Sequence, residues 1–142
     1  MSNDLAGEEL RAFIDDHGYL SWLGLRLDRL ERGRVRMSVP GDEKFRNPGP
    51  GGSIHGGIVA TLIDTASGFA LRTTFEDPGT ARLATTDLDV SYLRPATGDL
   101  TVEAEVLRAG GTTGVTDVAV ESANEAEPVA VGRTTYRLFR DS

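Results

Sequence analysis

Two histidines, no cysteine and an aspartate embedded in an apolar helical run set the limits of what this chain can do chemically. Without cysteine there is no thiolate nucleophile, thiolate metal site or disulfide. No Gly-x-Ser-x-Gly turn is present, and His17 and His55 are the only imidazoles, which argues against a serine triad. Neither a Walker motif nor Gly-x-Gly-x-x-Gly occurs, so nucleotide hydrolysis and dinucleotide redox chemistry drop out. The histidines and carboxylates lack the spacing of a metal-ligand set, and neither metal nor cofactor is expected.

Asp64 carries the strongest signal. It lies within Leu62-Ile63-Asp64-Thr65-Ala66, where helix interiors disfavour aspartate and burying its charge costs several kcal/mol or raises its pKa. Acid–base chemistry is one reason to keep it there; a carboxylate bonded to Thr61, Thr65 or Ser67, or facing solvent, is the other. The second signal is the run Asn47-Pro48-Gly49-Pro50-Gly51-Gly52-Ser53-Ile54-His55-Gly56-Gly57, a loop that feeds directly into the helix. With Ser53 as cap, the amides near Gly56 and Gly57 lack intrahelical partners and stand at the positive end of the macrodipole. Such amides can hold the oxyanion developing on an ester or thioester carbonyl, where losing one donor typically costs about 10²–10³-fold. The alternative is a tight loop entering a helix that packs closely on a strand.

Helical phase separates these two signals. His55 and Asp64 are nine positions apart, which puts them on opposite sides of one helix and roughly 13–14 Å apart along its axis. If both serve one reaction, the His55 end of one helix must meet the Asp64 face of another, in a dimer with two composite sites. The small residues Gly57, Ala60, Thr61 and Gly68 on the Asp64 face are consistent with close approach.

The elements that must position these groups follow from periodicity. Leu5, Leu10, Phe13 and Ile14 suit a short amphipathic helix capped at Asn3 or Asp4 and ending near His17-Gly18. Leu23, Leu25 and Leu27 read as a strand, Glu31 to Arg34 as a turn, and Val35, Met37 and Val39 as a second strand with one wet face. One long helix runs from Ser53 to about Thr74. Four β-rich runs follow, over 83–93, 99–109, 113–122 and 128–139; in the first, Leu88, Val90 and Tyr92 face one way and Thr85, Asp87, Asp89 and Ser91 the other. This order predicts an α+β domain spanning 1–142, with residues 1–18 as N-terminal helix and lead-in. Its antiparallel sheet must bury one face on the long helix, which is the hotdog arrangement.

Composition narrows the partners. At 142 residues, 39% hydrophobic and 26% charged, the chain fits a soluble globular class, and no apolar run approaches the roughly 20 residues of a membrane helix. The first residues carry acid where a signal peptide carries base, so a cytoplasmic location is expected. A net charge of -7 without a basic cluster argues against nucleic acid.

Taken together, Asn47, His55-Gly56-Gly57, Asp64 and the strand Thr85-Thr86-Asp87-Leu88-Asp89-Val90-Ser91-Tyr92-Leu93-Arg94-Pro95 resemble the hotdog-fold acyl-CoA thioesterases of the phenylacetic-acid-degradation type, within the 4-hydroxybenzoyl-CoA thioesterase superfamily. The resemblance covers roughly Tyr19 to Phe139. It implies hydrolysis of an aromatic or short-to-medium acyl-CoA, with coenzyme A entering as part of the substrate. By position, the Gly56 amide polarises the thioester carbonyl, Asp64 of the partner subunit is general base or nucleophile, and Asn47 and His55 orient substrate or water. Thr85 falls where related enzymes hold that water. Gly57, Thr86, Arg94 and Arg46 fall to the substrate, the arginines toward its phosphates. The loop departs from the family pattern, its Asn47 to His55 interval being a couple of residues longer. A homodimer or dimer of dimers is implied. A non-catalytic acyl-CoA-binding protein and a hotdog hydratase or dehydratase are the alternatives.

Overall fold

Alternating apolar residues build a sheet, and a helix apolar on most sides fills it. The computed structural model describes residues 3–140. In chain order these form α1 (Asn3–Asp16), α2 (Gly18–Leu23), β1 (Arg26–Glu31), β2 (Arg34–Val39), a 3₁₀ turn at Glu43–Phe45, α3 (Gly56–Arg72), a second 3₁₀ turn at Pro78–Thr80, and then β3 (Leu83–Tyr92), β4 (Leu100–Ala109), β5 (Thr113–Ser122) and β6 (Ala130–Leu138). The six strands make one antiparallel sheet in the order β1-β2-β4-β5-β6-β3. Helix α3 packs against β2 through β6. Its Val59, Leu62, Ile63, Ala66, Phe69 and Ala70 join Val35, Met37, Val102, Ala104, Val118 and Val120 in one buried core. This is the hotdog fold that the order of elements predicts. No helix among the described residues is long and apolar enough to cross a membrane.

Four local expectations are corrected. The stretch before β1 is not strand from Leu23 onward: His17 caps a second short helix by accepting the Leu20 amide at 3.2 Å, and Gly24 ends it in the left-handed region at φ 73°. The cap expected at Asn3 or Asp4 is also corrected, because both residues are already helical. Helix α3 starts three residues later than Ser53, and His55 is its cap.

The fourth correction concerns β3. Its pairing with β6 slips between Thr85 and Asp87, leaving Thr86 as a bulge. A bulge reverses the alternation, so Thr85 lies on the same inner face as Leu88, Val90 and Tyr92 rather than with Asp87. The register confirms the sides: Thr85, Leu88, Val90 and Tyr92 stand opposite Tyr136, Thr134, Gly132 and Ala130, the inward residues of β6.

The long loop is held by its base. The Asn47 amide donates to the Ser53 carbonyl at 2.9 Å, the His55 amide donates to the Phe45 carbonyl at 2.7 Å, and Arg46 bridges Ile54. The additional loop length therefore stays at the exposed tip, Pro48 to Gly51, where Gly49 and Gly51 take positive φ. Gly52 is a steric requirement, because a Cβ there would stand 2.1 Å from the Asn47 carbonyl oxygen. Gly52→Ala is expected to cost about 1–3 kcal/mol of stability through this overpacking; equilibrium urea unfolding checks it, and an unchanged midpoint contradicts the steric account.

Candidate active site

Asp64 is half-buried in the middle of α3, a helix whose only other charged residue is Arg72 in its last turn. An aspartate there needs donors from outside the helix, because the helical amides are already paired. Two strands supply them. Thr85 of β3 donates its hydroxyl to Asp64 Oδ1 at 2.7 Å, and Tyr136 of β6 donates to the same oxygen at 2.6 Å. The Tyr136 hydroxyl also lies 2.6 Å from the Asp64 carbonyl. Thr61 and Ser67, weighed as local partners for Asp64, instead bond the carbonyls of Gly57 and Ile63. Burial, and after it the hydrogen bond to Asp64, push the Tyr136 phenol well above the ordinary tyrosine range.

The helix start forms a second cluster. His55 Nδ1 accepts the Gly57 amide at 2.8 Å, so this nitrogen carries no proton and the ring presents Nε2 outward as a donor. The next contact fixes the other side of the same peptide: Tyr92 donates its hydroxyl to the Gly56 carbonyl at 2.7 Å. The Gly56–Gly57 peptide is thus clamped at both ends. The expected pair of free amides becomes one, since Gly57 is occupied by its own cap. Among the described residues the Gly56 N–H donates to no acceptor. Any side chain at position 56 would come within 3.2 Å of the Tyr92 ring.

A cleft of about 280 Å³ opens at this end, lined by Asn47, Gly56, Val59, Tyr92, Arg94 and Val129 among others. The structure therefore brings Asn47 and Gly56 together despite the longer loop. It does not bring Asp64 or Thr85 to this cleft. Arg94 lines it, but its guanidinium donates to the Pro128 carbonyl and pairs with Glu127 at 3.2 Å. Arg46 is exposed, and no salt bridge is found for it among the described residues. Thr86 turns back onto its own sheet and donates to the Thr135 carbonyl at 3.1 Å. A larger concavity, about 590 Å³, lies elsewhere, on the outer sheet face among Arg34, Glu103, Asp117 and Arg133, and holds none of the predicted site residues.

Residues 51–129 match the family model described as the Thioesterase superfamily. The chain belongs to that superfamily. A provisionally named esterase of Halobacterium salinarum is 49% identical over 144 residues, covering 97% of this chain and 95% of its own length. Human acyl-coenzyme A thioesterase 13 is 34% identical over 90 residues, 61% of each chain. The solved structure of the Escherichia coli PaaI protein from the phenylacetic acid degradation operon superimposes with a TM-score of 0.82 at 22% identity, over 96% of this chain and 95% of that one. At that identity the likeness is one of fold.

Sequence reasoning missed Tyr136 and the clamping role of Tyr92. Tyr136 stands in a strand of alternating residues, and only its register against Thr85 shows that it faces Asp64. Because the folded state raises the phenol's pKa, its stabilising effect is complete below the ordinary tyrosine value of about 10 and is lost as pH climbs above it. Stability should thus fall above about pH 10, and Tyr136→Phe should fall less steeply there. Urea midpoints measured across the alkaline range alongside tyrosinate absorbance check this; identical slopes in the two proteins would refute it.

Proposed function

We propose that the protein hydrolyses the thioester of an acyl-CoA of the aromatic or short-to-medium class, the phenylacetic-degradation type that its motifs resemble. The observation that carries this reading is a carboxylate fixed by two hydroxyl donors on a helix whose start offers an unbonded Gly56 N–H next to a peptide clamped by His55 and Tyr92. Water attacks the thioester carbonyl carbon while Asp64 takes its proton. The negative charge that gathers on the carbonyl oxygen is met by the Gly56 N–H and the helix dipole. The tetrahedral intermediate then collapses, the C–S bond breaks, and the proton passes to the leaving thiolate, giving free acid and coenzyme A. Asn47 and the outward His55 nitrogen orient the substrate. Of the two arginines, Arg46 is the freer to meet the coenzyme A phosphates.

The reaction needs two chains. Asp64 lies roughly 12 Å along the helix axis from Gly56 and outside the cleft that Gly56 lines, and a composite site brings the Gly56 end of one protomer to Asp64 of another. Strand β3 supports this association, being a ten-residue edge strand with Leu88 and Tyr92 exposed at 39% and 55%, Leu93 exposed just beyond its end, and one rim of backbone unpaired among the described residues.

Asp64→Asn should lower kcat for thiol release across a panel of acyl-CoAs by at least about 100-fold, in line with loss of a general base, with the fold verified by circular dichroism. Unchanged hydrolysis would remove the proposal, and tight acyl-CoA binding by a wild type that never turns over would favour a non-catalytic binding protein. By sedimentation, the active species should have the mass of a dimer or a multiple of it; an active monomer contradicts the composite site.

A further inference from the structure

Resting on the reading of Asp64 as the proton acceptor, we propose that Tyr136 is a positioning residue that decides which carboxylate oxygen does the work. Tyr136 and Thr85 both donate to Oδ1, at 2.6 and 2.7 Å. Among the described residues Oδ2 has no hydrogen-bond partner. Two donors on one oxygen hold the carboxylate plane, occupy Oδ1 and leave Oδ2 as the oxygen that meets water. A carboxylate free to rotate about its last torsion would present either oxygen in many orientations, and a small misplacement of a reacting group costs rate steeply.

The surroundings are shaped for this contact. Tyr136 is 5% exposed and stands directly opposite Thr85 in the β3–β6 register, so both hydroxyls reach Asp64 from neighbouring strands. The Thr86 bulge is what turns Thr85 to this side. One turn beyond Asp64, Gly68 leaves room for the phenol: a Cβ there would lie 3.1 Å from the Tyr136 hydroxyl oxygen. The second contact, to the Asp64 backbone carbonyl, ties the phenol to the helix itself and keeps its distance from the carboxylate fixed.

The test uses the full chain in a thiol-release assay. Tyr136→Phe removes the hydroxyl alone, and kcat should fall about 10- to 100-fold while KM and the affinity for an uncleavable acyl-CoA thioether stay within about twofold, the pattern expected when only transition-state geometry is lost. In the Asp64→Asn background the same change should lower residual hydrolysis less than about twofold, because a residue acting through Asp64 has nothing left to position. Gly68→Ala, which presses on the phenol without deleting it, should show a smaller kcat loss at the same KM and serves if Tyr136→Phe does not fold. A kcat for Tyr136→Phe within twofold of wild type overturns the proposal, as does an equal fold-loss in both backgrounds, which marks a structural strut. If Asp64→Asn alone leaves hydrolysis intact, it is the functional reading that fails; if Asp64→Asn abolishes it and Tyr136→Phe does not slow it, only the positioning role fails.

Discussion

An ionised carboxylate on a helix packed into a sheet has to be given hydrogen-bond donors, and most of the site's construction follows from meeting that demand for Asp64. The helix cannot supply them, since its amides are bonded along its own axis and its nearby hydroxyls return to its carbonyls. The donors come from β3 and β6, the strands at the far end of the sheet order. Their side-by-side pairing, the bulge at Thr86 and the missing side chain at Gly68 all bear on whether two hydroxyls can converge on one oxygen.

The start of α3 is governed by the opposite polarity. Backbone amides there are unpaired by construction and carry partial positive charge. His55 satisfies one and Tyr92 fixes the same peptide through its carbonyl, so the neighbouring Gly56 amide is held without being consumed. The base of the Asn47 to Ser53 loop, closed by backbone hydrogen bonds, sets Asn47 beside it in one cleft. Sequence length in the tip is then free to vary without moving the cleft.

Much of this was legible in the chain. The apolar stripe of α3, the alternation in β2 and in the four later strands, and the glycine–proline loop carry strong periodic or steric signals, and the fold they imply is the one observed. Asp64 was conspicuous because its neighbours are apolar. Less legible were the ends of elements and the sides of strands. Ser53 and His55 are both chemically able to cap a helix, and the backbone pairing of Arg46 with Ile54 is what holds the chain extended through Ser53 and delays the helix. Alternation in β3 reads smoothly as a sequence, yet one bulge transfers Thr85 to the other face.

The sequence by itself determined that a carboxylate sits mid-helix, that unpaired amides are to be expected at the helix start near Gly56 and Gly57, and that His55 and Asp64 fall on opposite sides in helical phase, because composition and the 3.6-residue period are properties of the chain alone. Only the tertiary structure decided which amide stays free, which side Thr85 faces and that Tyr136 reaches Asp64. Those outcomes depend on strand register and on contacts between residues up to 72 positions apart, and a hydrogen bond across such a separation leaves no periodic mark in the sequence.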